Sequence, residues 1–110
     1  MRSLTRGEQK SLALHRQVAA RVQADPSALQ TVHRRLQWLR SKNPAGGRYY
    51  DEWDRLLSGP LDDLLGMLVS PSERACTLRQ ESPFVDLVDQ RERARIYRAV
   101  AAEIDRMASR

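Results

Sequence analysis

The chain carries five prolines, and each falls where a helix would have to stop: Asp25-Pro26, Asn43-Pro44, Gly59-Pro60, Ser70-Pro71 and Ser82-Pro83. Inside a helix, proline removes a backbone donor and clashes with the carbonyl one turn back. In the first helical turn its missing N–H costs nothing. The prolines therefore divide the chain into short segments that can be helical but cannot merge into one long helix. Each segment carries apolar residues at steps of three and four, and none shows a convincing strand alternation.

Thr5-Arg6-Gly7-Glu8 has the form of a capping box, so the first helix should run from there to about Ala24, with Leu14, Val18 and Val22 on one face. Asp25-Pro26 is a stop and restart. The second helix should reach about Ser41, with Leu29, Val32, Leu36 and Leu39 as its apolar stripe and Arg34, Arg35 and Arg40 off it and solvated. KNPAGG, residues 42–47, is the clearest break; Gly46-Gly47 permits positive φ, which marks residues 43–48 as the hinge. A third helix should span about Tyr49–Ser58, carrying Trp53, Leu56 and Leu57. A fourth follows Pro60 with Leu61, Leu64, Leu65 and Leu68 buried. A fifth, capped by Ser70, should reach about Arg79. Ser82-Pro83 opens a short turn through Phe84, Leu87 and Val88. Asp89 then caps a last helix carrying Tyr97, Val100, Ile104 and Met107.

The expected fold is all-α, a small bundle of about five to six helices in one domain over residues 1–110. Residues 1–42 form a basic hairpin, because the Ala24–Pro26 joint suggests antiparallel neighbours, and 49–110 form a compact helical cluster. At 110 residues the core is real but modest, and with aromatics at 5% it must be mostly aliphatic. No run approaches the ~20 apolar residues of a membrane span. The polar N-terminus lacks the apolar stretch of a secretory signal, and a single cysteine cannot form an internal disulfide. Both point to a cytoplasmic protein without a membrane partner.

Charge is segregated. Residues 1–48 hold ten Lys/Arg against two acids, 49–73 one Arg against six acids, and 74–110 eight Arg against six acids. A basic front end suits nucleic acid or an acidic protein face. Arg2, Arg6, Lys10, Arg16, Arg21, Arg34, Arg35, Arg40, Lys42 and Arg48 would contact phosphates if they shared a face, with Arg34, Arg35, Arg40 and Lys42 as the candidates on the second helix. That helix lacks the Asn/Gln/Ser-rich face expected of a base reader.

Signs of catalysis are weak. His15 and His33 sit on different helices, read as surface or boundary residues, with no metal-like spacing beside them. Asp62 and Asp63 are adjacent, so they diverge around a helix and suit its first turn rather than a shared proton. Ser82 reads as a cap with no nearby base, and Cys76 as a small core residue. No enzyme, metal or cofactor is expected. Protein binding fits better: Tyr49, Tyr50 and Trp53 crowd past the break, Trp38 lies one step off its stripe, and Arg91, Arg93, Arg95 and Arg98 flank the apolar face of the last helix.

The stretch GRYYDEWDRLLSGPLDDLLGMLVSPSERACTLRQESPFVDLVDQRERARIYR resembles a family of small actinobacterial antitoxins of type II toxin–antitoxin pairs. The likeness covers about residues 44–98, through the DEWDRLL-SGPL, SPSERACTLRQESPF and ERARIYR pieces. Asp89-Gln90 departs from the family's Ser/Thr-Pro helix start, and Asp86 stands where a small residue is usual. The resemblance implies a stoichiometric inhibitor of a cognate toxin of the nucleotidyltransferase type. Arg91, Arg95 and Arg98 would bind the toxin with Phe84 as apolar anchor, and Tyr50 and Trp53 would come second. Phe84 divides between that role and pinning the last helix to its own core. Two other readings stand beside it: a DNA-binding regulator acting on its own operator, and a helical scaffold subunit. A homo-oligomer is compatible with all three.

Overall fold

Helix starts are set locally, by side-chain caps at Thr5, Ser72 and Asp89 and by prolines at the other joints. The computed structural model describes residues 3–109, and every regular element among them is helical. Helix α1 (Arg6–Ala24) opens with a complete capping box: Glu8 N–H donates to Thr5 Oγ1 at 3.1 Å and Thr5 N–H to Glu8 Oε1 at 2.9 Å. Asp25 Oδ1 accepts from the Ser27 hydroxyl at 2.6 Å, which shapes a 3-10 turn at Pro26–Ala28 before α2 (Leu29–Lys42). A second 3-10 turn, Pro44–Gly46, leads into α3 (Gly47–Ser58), then α4 (Leu61–Val69) and α5 (Glu73–Arg79). A knuckle with a 3-10 turn at Val85–Leu87 precedes α6 (Gln90–Ala108), whose cap Asp89 accepts from Glu92 N–H at 2.8 Å. No described helix is long and apolar enough to cross a membrane.

The expected boundaries shift at two places. Ser72, not Ser70, caps α5; its Oγ accepts from Ala75 N–H at 3.2 Å, while Ser70 Oγ accepts from Ser72 N–H and so orients the true cap. Around Gly46-Gly47 no glycine takes a positive φ. Gly46 is needed for close approach instead, since a Cβ there would stand 2.8 Å from the Tyr50 ring. The 43–48 break is thus a 3-10 turn and a helix start packed under Tyr50.

Helix α1 is the central strut. It lies along α6 and along α4, and touches α5 and the knuckle; α2 packs on α3, and α3 on α4. Helices α1 and α2 share the Pro26–Ala28 joint but not a long seam. A short joint fixes where the second helix starts, while the packing of each apolar face fixes what it lies against. Helices α1 and α6 are antiparallel: Arg6 pairs with Asp105 at 3.1 Å at one end, and Arg21 donates to the Leu87 carbonyl at the other.

One core joins all of this, with Leu14, Val18 and Val22 of α1, Val32 and Leu36 of α2, and Leu64 and Leu68 of α4 in the same cluster as Tyr50, Trp53 and Phe84. The outer residues of two expected stripes stay near the surface. Leu61 is exposed, and α6 has no fully buried side chain, because it packs mainly on α1 and Met107 projects beyond the contact at 60% exposure.

Trp53 is the hub. Its ring meets Phe84 edge to face, centroids 5.2 Å apart, and its Nε1–H donates to the Leu78 carbonyl at 3.1 Å. Phe84→Ala should therefore destabilise the fold by ~3–5 kcal/mol, through the cavity and the lost ring contact. Urea unfolding of the two proteins measures this, and a change below ~1 kcal/mol would contradict the packing described.

Candidate functional site

The residues expected at a site separate into interior and surface groups. Phe84, Tyr50 and Trp53, expected as anchors for a partner, are all essentially inaccessible. The Tyr50 hydroxyl accepts from Asn43 Nδ2 and donates to Glu81 Oε2, both at 3.2 Å. These side chains offer no surface of their own; they hold α3, α5 and the knuckle in place. The knuckle's carbonyls are answered by arginines: Arg21 of α1 donates to Leu87 O, and Arg93 of α6 donates to Val85 O at 3.0 Å.

That engagement sorts the basic run of α6. Arg93 turns inward to the knuckle. Arg91, Arg95 and Arg98 lie on the opposite, exposed face, one turn apart, where with Asp89 and Glu92 they line a shallow depression of about 330 Å³. Arg95 has only a 3.7 Å ion pair with Glu92; Arg91 and Arg98 have no partner among the described residues.

The basic residues of α2 are sorted too. Arg40, expected in solvent, follows Leu36 by one turn on the buried side and pairs with Asp51 at 2.8 Å and Asp54 at 3.8 Å of α3. Arg35 Nε lies 3.2 Å from Asp86 Oδ2, an ion pair outside hydrogen-bond alignment. Arg34 has only a long contact of 3.4 Å to Thr31 Oγ1, and Lys42 has no partner among the described residues. Arg2 lies outside the described residues.

Two arrangements were not legible in the sequence. The first is a cleft of about 360 Å³ between α3 and α5, lined by Arg48, Tyr49, Glu52, Arg74, Thr77 and Leu78. The Arg48 guanidinium stacks over the Tyr49 ring at 5.2 Å, and Glu52 pairs with both Arg55 and Arg74.

The second corrects two expectations at once. His15 is 1% exposed, and Ser82 does have a base beside it: His15 Nε2 lies 2.7 Å from Ser82 Oγ. His15 Nδ1 is 2.7 Å from the Ser11 carbonyl, which can only accept, so Nδ1 carries the proton and Nε2 accepts from the Ser82 hydroxyl. Ser82 Oγ in turn accepts from Phe84 N–H at 3.1 Å. The pair works as a clamp between α1 and the knuckle. Beside it Arg79, also buried, donates to the Met67 carbonyl at 3.0 Å in the last turn of α4, supplying a donor that the helix end lacks. Burial lowers the Arg79 pKa from its ordinary value, against the raising influence of Cys76 and Glu8.

Burial pushes the pKa of His15 down to about 4 from 6.5; the Ser11 carbonyl works against this and the charge of Arg79 adds to it. Between those values the unfolded chain binds the proton and the folded chain does not. Stability should therefore be full above 6.5 and fall as pH drops toward 4, by ~3 kcal/mol in total. Urea unfolding across that range, for wild type and His15→Gln, separates this from the titration of carboxylates. The wild type should lose ~3 kcal/mol more than the variant, and equal losses would refute the assignment.

No protein-family model, curated protein or solved structure matches the chain.

Proposed function

We propose that this protein is an antitoxin that neutralises a cognate toxin, of the nucleotidyltransferase type, by direct protein–protein binding in the cytoplasm. The observation that carries the reading is the row Arg91, Arg95 and Arg98, presented together on the outer face of α6 with Arg95's long pair to Glu92 as its only ion pair among the described residues. It joins the resemblance of residues 44–98 to such antitoxins.

The mechanism is occlusion. A nucleotide-transferring partner holds its metal with carboxylates, which concentrates acidic groups in its active site. A guanidinium row meets carboxylates with paired, directional hydrogen bonds and stays charged at any physiological pH. The buried aromatics contribute by rigidity: Phe84 and Trp53 fix the knuckle, Arg93 fixes the start of α6 to it, and the row is pre-arranged before the partner arrives.

Co-expression with the product of the neighbouring gene tests this. A stable complex and restored growth are expected. Arg91→Glu/Arg95→Glu/Arg98→Glu should leave the melting temperature of the isolated chain within a few degrees and weaken the complex by at least ~2 kcal/mol. Neither complex nor rescue with the wild-type chain would remove the reading. Rescue that survives the triple charge reversal would move the contact away from α6.

A further inference from the structure

Trp38 is 48% exposed, although it is one of only two tryptophans in the chain and the other, Trp53, is wholly buried. It stands on the solvent side of α2, opposite the stripe of Leu29, Val32 and Leu36. Its helical neighbours one turn away in each direction are Arg34, Arg35, Ser41 and Lys42. The Arg35 guanidinium lies 4.4 Å from the ring centroid and is itself held by Asp86, so the indole is braced rather than loose. Arg34 and Lys42 lie eight residues apart, ~12 Å along the helix axis, and bracket the ring. From Pro26 to Tyr50 the chain has no Asp or Glu at all.

We infer that this face of α2 binds single-stranded nucleic acid, with a base stacked on Trp38 and flanking phosphates on Arg34 and Lys42. No carboxylate lies on this segment, and Asp86, which reaches the face from another element, is paired with Arg35, so the face favours an anionic ligand. The immediate surroundings of the ring select between the two kinds. A protein interface needs a contiguous apolar centre, from which lysine is depleted. Here the indole is an isolated apolar surface whose nearest helical neighbours are cations and a serine. A π-face set among point charges is what a base followed by phosphates requires, and every base can stack on it, so binding should be tolerant of sequence. A duplex keeps its bases inside the stack and cannot offer one to the ring. This surface lies on α2 and the Arg91–Arg95–Arg98 row on α6, so this inference stands or falls independently of the antitoxin reading.

Trp53 is buried out of a ligand's reach, so a ligand-dependent change in intrinsic fluorescence reports on Trp38. Titrating the isolated chain with a short oligothymidylate should quench the tryptophan emission, while a duplex of equal length and poly-glutamate should not. Fluorescence anisotropy of the labelled oligothymidylate gives a second readout. Affinity should fall about tenfold in Trp38→Ala and much less in Trp38→Phe, which keeps a ring. In Arg34→Gln/Lys42→Gln the slope of log affinity against log salt should shrink by about 1.4, the share of two phosphates on a single strand. The inference is overturned by binding without quenching, by equal affinity of Trp38→Ala, or by poly-glutamate competing as well as the oligonucleotide. Trp38 projects from the surface, so these variants should melt as the wild type does.

Discussion

The edge-to-face contact of Trp53 with Phe84 is the point through which the rest of the molecule is tied. It brings α3 against the knuckle that follows α5. The indole N–H, which would be costly to bury unpaired, closes on the Leu78 carbonyl of α5. Helix α3 is thereby fixed against two later stretches, α5 and the knuckle, around one side chain. The only phenylalanine of the chain makes this contact, and α6, which starts just after the knuckle, packs mainly on α1. The knuckle that carries Phe84 also presents the carbonyls on which Arg21 and Arg93 close.

Arginine serves two separable purposes here. Some guanidinium groups are structural: Arg79 answers the end of α4, Arg21 and Arg93 answer the knuckle, and Arg40 and Arg35 cross to carboxylates of other elements. Others, on the outer faces of α2 and α6, are left with weak partners or none. Many of the cations are already matched within the chain. Lys10 and Arg16 of α1 and Arg48 of α3 also lack a carboxylate partner among the described residues, and the two proposals rest on the groups of α2 and α6.

Interior polarity was the least legible part. His15 and Ser82 are 67 residues apart, and nothing local in either sequence neighbourhood announces the other. A histidine of α1 read from its own neighbourhood as a surface or boundary residue enters the core because the packing of the knuckle brings the Ser82 hydroxyl to its Nε2. Tyr50 and Trp38 show the same limit from the other side. Both lie near the edge of an apolar stripe, where a small rotation of the helix exchanges burial for exposure. The packing of α3 over Gly46 buries the first, while no described helix covers the second.

What the sequence alone determined is where helices begin and end. Thr5, Asp25, Asp89 and the prolines act on backbone groups within four residues of themselves, so their effect is present before any tertiary contact forms. The all-helical character and the aliphatic stripes follow from the same short-range rules. The tertiary structure alone decided which helix lies on which, which polar groups enter the core and which arginines remain available. The physical reason is that burial and ion pairing depend on a partner, and for Arg35, Arg93, His15 and Trp53 that partner lies in a different element, brought close only when the core closes.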